Sequence, residues 1–245
     1  MVSHTGDKHT TGQTHATGSR RLSFLHNGWH NRAAVGRWHR LCWEMRHLIA
    51  TAMSPNLPEH LDLLYPREQI DARLEELAVT LDTWAAESEA ETGRLLIAVC
   101  LLRGGVFFFA DVLMHMKYSV EPGFCRAWSY SKQADGQGKP EDTVRMDWQG
   151  LDVKGRDVVL IDNICDSGRT LQVTSDWLGV WGARKVRTAV IVHRTRCDSR
   201  HTPTLTGFVY PGVEWLVGYG LRDRDAHMMN TRIICTVRGS GIAVE

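Results

Sequence analysis

The sequence has almost no net charge, no long apolar run and no paired cysteines, and each shortage excludes a class of protein. Its 29 lysines and arginines against 28 acidic residues leave a net charge of +1, so no general attraction to nucleic acid is expected. No apolar run reaches the roughly 18 residues that a membrane span needs, and the N-terminus carries no apolar signal-peptide core. We therefore expect a cytoplasmic protein without a membrane segment.

The six cysteines are scattered along the chain, and several lie in apolar runs typical of strands; they are Cys42, Cys100, Cys125, Cys165, Cys197 and Cys235. Their spacing fits neither a disulfide framework nor a zinc site. We interpret them as reduced core residues.

The N-terminal quarter differs in composition from the rest. Residues 1–20 are rich in Thr, Gly, His and Ser and are expected to be disordered. Residues 21–57 are predicted to be a basic, amphipathic helical extension, because apolar residues recur at helical spacing over 31–53. Its apolar face is expected to pack on the core or on a second subunit, with a membrane surface as the alternative. The many histidines before residue 60 indicate a solvated surface rather than a metal site.

From residue 58 to residue 245 the pattern indicates one α/β domain. Helical segments alternate with short apolar runs, which predicts a mostly parallel sheet flanked by helices. The predicted helices are 66–83, 106–116 and 170–182. The predicted strands are 95–102, 124–130, 158–161 and 186–193, with short strands near 207–209, 215–217 and 233–237. A polar, glycine-rich loop lies at 131–140, and loops of this kind often carry function.

Residues 158–170, VVLIDNICDSGRT, form the most informative segment. A run typical of a strand is followed by a tight turn of small residues and then by an amphipathic helix. Such a turn directs free backbone N–H groups and the positive end of a helix dipole at one point, so it predicts an anion site. Acidic residues just before the turn suit a sugar diphosphate carrying Mg²⁺, or a ribose diol.

This segment resembles the 5-phosphoribosyl-1-diphosphate (PRPP) signature of type I phosphoribosyltransferases. The resemblance is greatest to the hypoxanthine-guanine phosphoribosyltransferase family. Three further segments, LYPREQIDAR (64–73), LRGGVFF (102–108) and WLVGYGL (215–221), are similar to that family in order and spacing, as is VKGRD (153–157), which leads into the signature. The implied fold has a central, mostly parallel sheet flanked by helices, with a small hood subdomain.

The resemblance implies transfer of phosphoribose from PRPP to a ring nitrogen of a purine or purine-like heterocyclic base, with Mg²⁺ as cofactor. Asp166 matches the proposed catalytic proton acceptor. The 5′-phosphate cradle corresponds to Asp166, Ser167, Gly168, Arg169 and Thr170, and the ribose or metal contacts to Asp162 and Asn163. The pyrophosphate loop corresponds to Arg103, Gly104 and Gly105, and in the family the peptide before its basic residue can be cis. The base-binding positions are His193, Trp215 and Leu216, and Ser129 and Tyr130 match the start of a closing lid. Several of these residues also have a purely structural interpretation, as helix caps, plain turns or a buried core tryptophan.

Three positions depart from the family pattern. His193 stands where the family has a lysine that recognises the purine 6-oxo group. Arg222 stands where it has an aspartate that binds Mg²⁺, and Met228 falls near an arginine that binds pyrophosphate. Two roles are open for Arg222: direct contact with the diphosphate in place of one metal ion, or binding of an anionic acceptor.

The acceptor stays open at this point, between ordinary purine salvage and a base of specialised metabolism. The alternative function is a catalytically weak regulator that binds PRPP or a nucleotide. Hydrolysis of PRPP without a base acceptor is a third interpretation. Nucleic acid and membrane partners are not expected, and the family resemblance implies a homodimer or homotetramer.

Overall fold

The computed structural model describes residues 57–130, 143–148, 150–222 and 228–240. The predictions for residues 1–56 and for the loop 131–140 lie outside the described residues. The described chain forms three helices: α1 (Arg67–Thr92), α2 (Val106–His115) and α3 (Arg169–Val180). Its strands are β1 (Leu61–Tyr65), β2 (Ile97–Leu102), β3 (Glu121–Tyr130), β4 (Thr143–Trp148), β5 (Asp157–Cys165), β6 (Lys185–Arg194), β7 (Leu205–Tyr210), β8 (Leu216–Val217) and β9 (Ile234–Val237).

The main sheet has six strands in the order β4-β3-β2-β5-β6-β7. All neighbouring strands pair in parallel except β3 and β4, which pair antiparallel. The predicted α/β fold with a mostly parallel central sheet is therefore confirmed. The carboxyl ends of β2, β5 and β6 lie side by side at one edge, where ligands of open α/β sheets bind.

Both faces of the sheet are covered at its centre, which explains the continuous apolar runs of β2, β5 and β6. Successive residues of β2 point to opposite faces: Ala98 and Cys100 pack with α1 and α2, whereas Val99 and Leu101 pack with α3. Helix α1 continues nine residues beyond the predicted end, because Trp84, Ala85 and Ser88 extend its buried side. Gly93 then ends the helix in the left-handed conformation.

A second, three-stranded antiparallel sheet in the order β1-β9-β8 forms the hood subdomain. Its small core consists of Leu61, Val217 and Cys235. The sequence prediction did not include β1 or β4. In the described part of the chain, no helix is long and apolar enough to cross a membrane.

Candidate active site

The turn between β5 and α3 has the geometry of an anion cradle. Gly168 adopts φ +74° and precedes the first residue of α3, and no side chain in the described part caps this helix. The first N–H groups of a helix have no intrahelical acceptor. The segment Asp166–Thr170 thus brings the start of the helix and the positive end of its dipole to the carboxyl edge of the sheet.

The connection between β6 and β7, residues 195–204, covers this turn from behind, and we call it the strap. The backbone N–H of Arg200 donates to the carbonyl of Ser167 at 2.9 Å. A Cβ atom at Gly168 would lie 2.7 Å from the backbone nitrogen of His201. The His201 ring lies 2.9 Å from Thr188 Oγ1. The strap therefore fixes the shape of the turn, a contact that sequence reasoning missed.

A cleft of about 610 Å³ opens beside this turn, between the main sheet and the hood. Seven of the predicted site residues line it: Arg103, Gly104, Asn163, Asp166, Trp215, Leu216 and Arg222. Arg126 and Arg194 also line it and were not predicted. The predicted residues outside its lining are Gly105, Asp162, Ser167, Gly168, Arg169, Thr170 and His193. Ser129 and Tyr130 end strand β3, beside the loop outside the described residues.

The pyrophosphate loop joins β2 to α2 at the floor of this cleft. The Leu102–Arg103 peptide is cis, as the family resemblance allowed. A Cβ atom at Gly104 would lie 2.7 Å from the side-chain nitrogen of Asn163. Only glycine permits this close approach, so the loop packs directly on the end of β5.

Asp166 lies between two guanidinium groups. Its Oδ1 atom is 3.2 Å from Arg194 Nε and 3.6 Å from Arg196 Nη1. Arg194 is buried, donates to the carbonyls of Gly212 and Glu214, and has its guanidinium 5.1 Å from the centre of the Tyr210 ring. This anchoring fixes the orientation of the Asp166 carboxylate, which lines the cleft and can accept a hydrogen bond from a base.

Asp162 and Asn163 occupy different environments. The Asp162 carboxylate accepts a hydrogen bond from the Asn163 N–H at 2.8 Å, and desolvation by the surrounding protein raises its pKa to about 7. Asn163 is buried and lines the cleft. Of these two residues, the neutral amide of Asn163 therefore lines the cleft, and the carboxylate of Asp162 does not.

His193 points away from the cleft. It pairs with Cys165 in the sheet, whose side chain packs on the α3 side. Its Nε2 atom is buried without a partner among the described residues. Burial lowers the pKa of the neighbouring His201, and His193 lowers it further. Arg194, one residue later, has the side chain that enters the cleft.

The hood supplies the opposite wall. The indole N–H of Trp215 donates to the carbonyl of Arg222 at 2.9 Å, which joins the two ends of the WLVGYGLR segment. Between them, Tyr219 is buried with φ 50°, and its hydroxyl donates to Asp111 of α2 at 2.9 Å. Met228 packs against the hood core, while Met229 lines the cleft.

The described side chains do not form a site that would hold Mg²⁺ by itself. They contain no group of three or more His, Cys, Asp or Glu residues placed to share a metal ion. Asp166, the single carboxylate in the described lining, already lies beside Arg194 and Arg196. Mg²⁺ prefers several oxygen ligands in octahedral geometry, and arginine is not a ligand for it.

Comparison with known proteins agrees with this geometry. A family model described as the phosphoribosyl transferase domain matches residues 69–222. The chain is 28% identical over 194 residues to a hypoxanthine-guanine phosphoribosyltransferase of Mycobacterium avium, a match that covers 75% of this chain and 94% of that protein.

Solved structures of similar proteins share the fold. A hypoxanthine-guanine phosphoribosyltransferase from Bacillus anthracis, crystallised with a HEPES molecule in its active site, has a TM-score of 0.59 at 26% identity, over 72% of this chain and 97% of that one. A hypoxanthine phosphoribosyltransferase from Staphylococcus aureus has a TM-score of 0.64 at 22% identity, over 76% and 96%. Since the family model spans more than half of the chain, this protein belongs to the phosphoribosyl transferase domain family and is a phosphoribosyltransferase.

Proposed function

We propose that this enzyme transfers the 5-phosphoribosyl group of PRPP to a ring nitrogen of a purine or purine-like base and releases pyrophosphate. One observation carries the proposal: Asp166 at the start of the glycine turn, Arg103 and Gly104 of the pyrophosphate loop, and Trp215 of the hood line a single cleft. The turn suits the 5′-phosphate, the pyrophosphate loop suits the diphosphate, and Trp215 suits the flat face of a base. The relatives named above act on hypoxanthine or guanine, which supports a purine acceptor.

In this proposal the 5′-phosphate binds the backbone N–H groups of the turn between Asp166 and Thr170. The diphosphate lies toward Arg103 and Gly104. The C1′–oxygen bond to the diphosphate breaks with both electrons leaving on pyrophosphate, and the base nitrogen supplies the pair for the new C1′–nitrogen bond. The transition state carries positive charge on the ribose and growing negative charge on the departing diphosphate, so a cation placed beside the diphosphate lowers the barrier.

Asp166 would accept a hydrogen bond from the base and help to remove its proton. Arg194 and Arg196 hold this carboxylate in place, so its role depends on orientation as well as on basicity. Trp215 and Leu216 would pack against the faces of the heterocycle. Because Arg194 rather than His193 lines the cleft, recognition of the base is expected to differ from that by the family lysine.

Several related predictions belong to this proposal. Mg²⁺ would reach the cleft bound to the sugar diphosphate rather than held by a protein site. Ser129 and Tyr130 would begin a lid over the reacting sugar. We also propose that the enzyme is cytoplasmic and forms a homodimer or homotetramer.

A panel assay tests the proposal. The protein is incubated with PRPP, Mg²⁺ and single bases, among them hypoxanthine, guanine, xanthine, adenine and non-purine heterocycles, and products are identified by mass. The expected result is a nucleoside monophosphate and pyrophosphate from at least one base. Tight PRPP binding without product from any base would instead favour the regulator, and a product only from a non-purine base would point to specialised metabolism.

A further inference from the structure

We propose that the diphosphate is bound directly by arginine side chains, so that pyrophosphate binds this protein without a divalent cation. The proposal rests on the proposed function, because it concerns the leaving-group end of the same cleft. The residues assigned to it are Arg103 and Arg222.

The first support is the charge of the cleft. In the described part of the chain its lining contains four arginines, Arg103, Arg126, Arg194 and Arg222, but one carboxylate, Asp166. Arg194 and Arg196 lie within 3.6 Å of that carboxylate and offset its charge. Arg103 and Arg222 add positive charge to the lining at the end of the cleft assigned to the diphosphate, which suits a polyanion.

The second support is that the described residues lining the cleft offer no set of oxygen ligands that would hold a divalent cation. Asp162 does not line the cleft, and its carboxylate accepts the Asn163 N–H in a desolvated environment. Asn163 itself is neutral, so it attracts a divalent cation less than a carboxylate would. An arginine at position 222 repels such a cation.

The third support is the way in which Arg222 is held. Its carbonyl accepts the indole N–H of Trp215, and the preceding Leu221 N–H donates to the Gly218 carbonyl at 2.9 Å. The turn is further fixed by the buried Tyr219 and its bond to Asp111. Arg222 thus extends from a hydrogen-bonded turn at the cleft. A guanidinium can bind a diphosphate through two parallel hydrogen bonds.

Calorimetric titration with inorganic pyrophosphate, in EDTA and in Mg²⁺, tests the proposal. The full chain is expected to bind pyrophosphate in EDTA with an affinity within a few-fold of that in Mg²⁺. Arg222→Asp should weaken binding in EDTA by about 10- to 100-fold, the usual range for a lost hydrogen bond to a charged group. Mg²⁺ should restore part of that loss, because the new carboxylate can hold the cation.

Arg94→Asp is the matched control, since it makes the same charge change at an exposed residue. Arg94 lies before the start of β2, at the opposite end of that strand from Arg103 and the cleft. It should leave both affinities unchanged. Binding of pyrophosphate only when Mg²⁺ is present, or no effect of Arg222→Asp in EDTA, would overturn the proposal. The proposed transfer reaction is assayed in Mg²⁺ and can succeed whichever result is obtained.

Discussion

Gly168 shows how one residue can serve both backbone conformation and packing. Its φ of +74° is in the left-handed region, and the backbone of His201 occupies the space where a side chain would begin. Gly93, at the end of α1, has a similar φ of +66°, but a Cβ atom there would have no other atom within 4 Å among the described residues. Substitutions at the two glycines therefore distinguish the cost of backbone strain, which both share, from the cost of disturbing the phosphate cradle, which concerns Gly168 alone.

Gly168→Ala is expected to abolish most PRPP binding, whereas Gly93→Ala should not. Both changes place alanine in the left-handed region, which costs about 1–2 kcal/mol. At Gly168 the added methyl group also pushes the strap away from the turn, so we expect at least about a tenfold loss of PRPP affinity, or 1.4 kcal/mol. Calorimetric titration with PRPP measures the loss of affinity, and urea unfolding measures the loss of stability. Equal PRPP affinities for the two variants would contradict the cradle assignment.

Asp162→Asn is expected to stabilise the protein at high pH. The folded-state pKa of about 7 lies above the usual 3.8, so the folded protein binds the proton more tightly than the unfolded chain. Stability contributed by this proton is complete below about pH 4 and is lost as the pH rises toward 7. The amide avoids this loss and keeps an oxygen that can accept the Asn163 N–H.

The difference in the free energy of unfolding between the Asp162→Asn variant and the unchanged protein should grow by roughly 1–3 kcal/mol between pH 5 and pH 8 and then level off. Denaturant unfolding of both proteins across this range gives the difference directly. A difference that stays constant with pH would show that the Asp162 carboxyl does not titrate in this window.

At the scale of elements, a contact between the hood and α2 determines the position of one cleft wall. Tyr219 is buried in the WLVGYGL turn, and its hydroxyl donates to Asp111. Burial is the main cause that raises the pKa of this phenol, and the bond to the Asp111 carboxylate adds to it. Arg232 lies 3.7 Å from the same carboxylate. The hood is thus tied to the main domain by a charge-assisted hydrogen bond.

Tyr219→Phe should lower the free energy of unfolding by about 1–2 kcal/mol, since a partly buried carboxylate loses a donor. The hood wall then becomes less well fixed, so KM for PRPP should rise several-fold with a smaller change in kcat. Tyr118→Phe, at an exposed tyrosine after α2, is the control and should change neither. Steady-state kinetics and urea unfolding give both values. Identical behaviour of the two variants would remove the positioning role of Tyr219.

Among the elements, the sequence predicted those with strong local patterns and missed those that depend on distant partners. The apolar runs of β2, β5 and β6 are explained by burial on both faces. Strand β1 forms because it pairs with β9, more than 160 residues later, and no local pattern contains that information. The strap was missed for the same reason: its contact with Gly168 exists only after β6 has paired with β5.

At the scale of the whole described chain, a cleft lies at the carboxyl edge of the parallel strands, the edge at which the sequence predicted that ligands bind. The motif residues Arg103, Asn163, Asp166 and Trp215 line it. Arg194 was missed because adjacent residues of a strand face opposite sides of a sheet. The family pattern pointed to His193, and the structure directs that side chain toward α3 and the next one into the cleft. The spacing of residues in a motif does not determine to which face of the sheet each side chain points.

The central claim is that one cleft holds PRPP and directs its ribose to a base rather than to water. Following the reaction by ³¹P NMR, with PRPP, Mg²⁺ and a base accepted in the panel assay, tests it most directly. The diphosphate signals of PRPP should disappear as pyrophosphate and a nucleoside monophosphate appear in equal amounts, and PRPP should persist when the base is left out. Formation of pyrophosphate with ribose 5-phosphate at the same rate with or without the base would contradict the account.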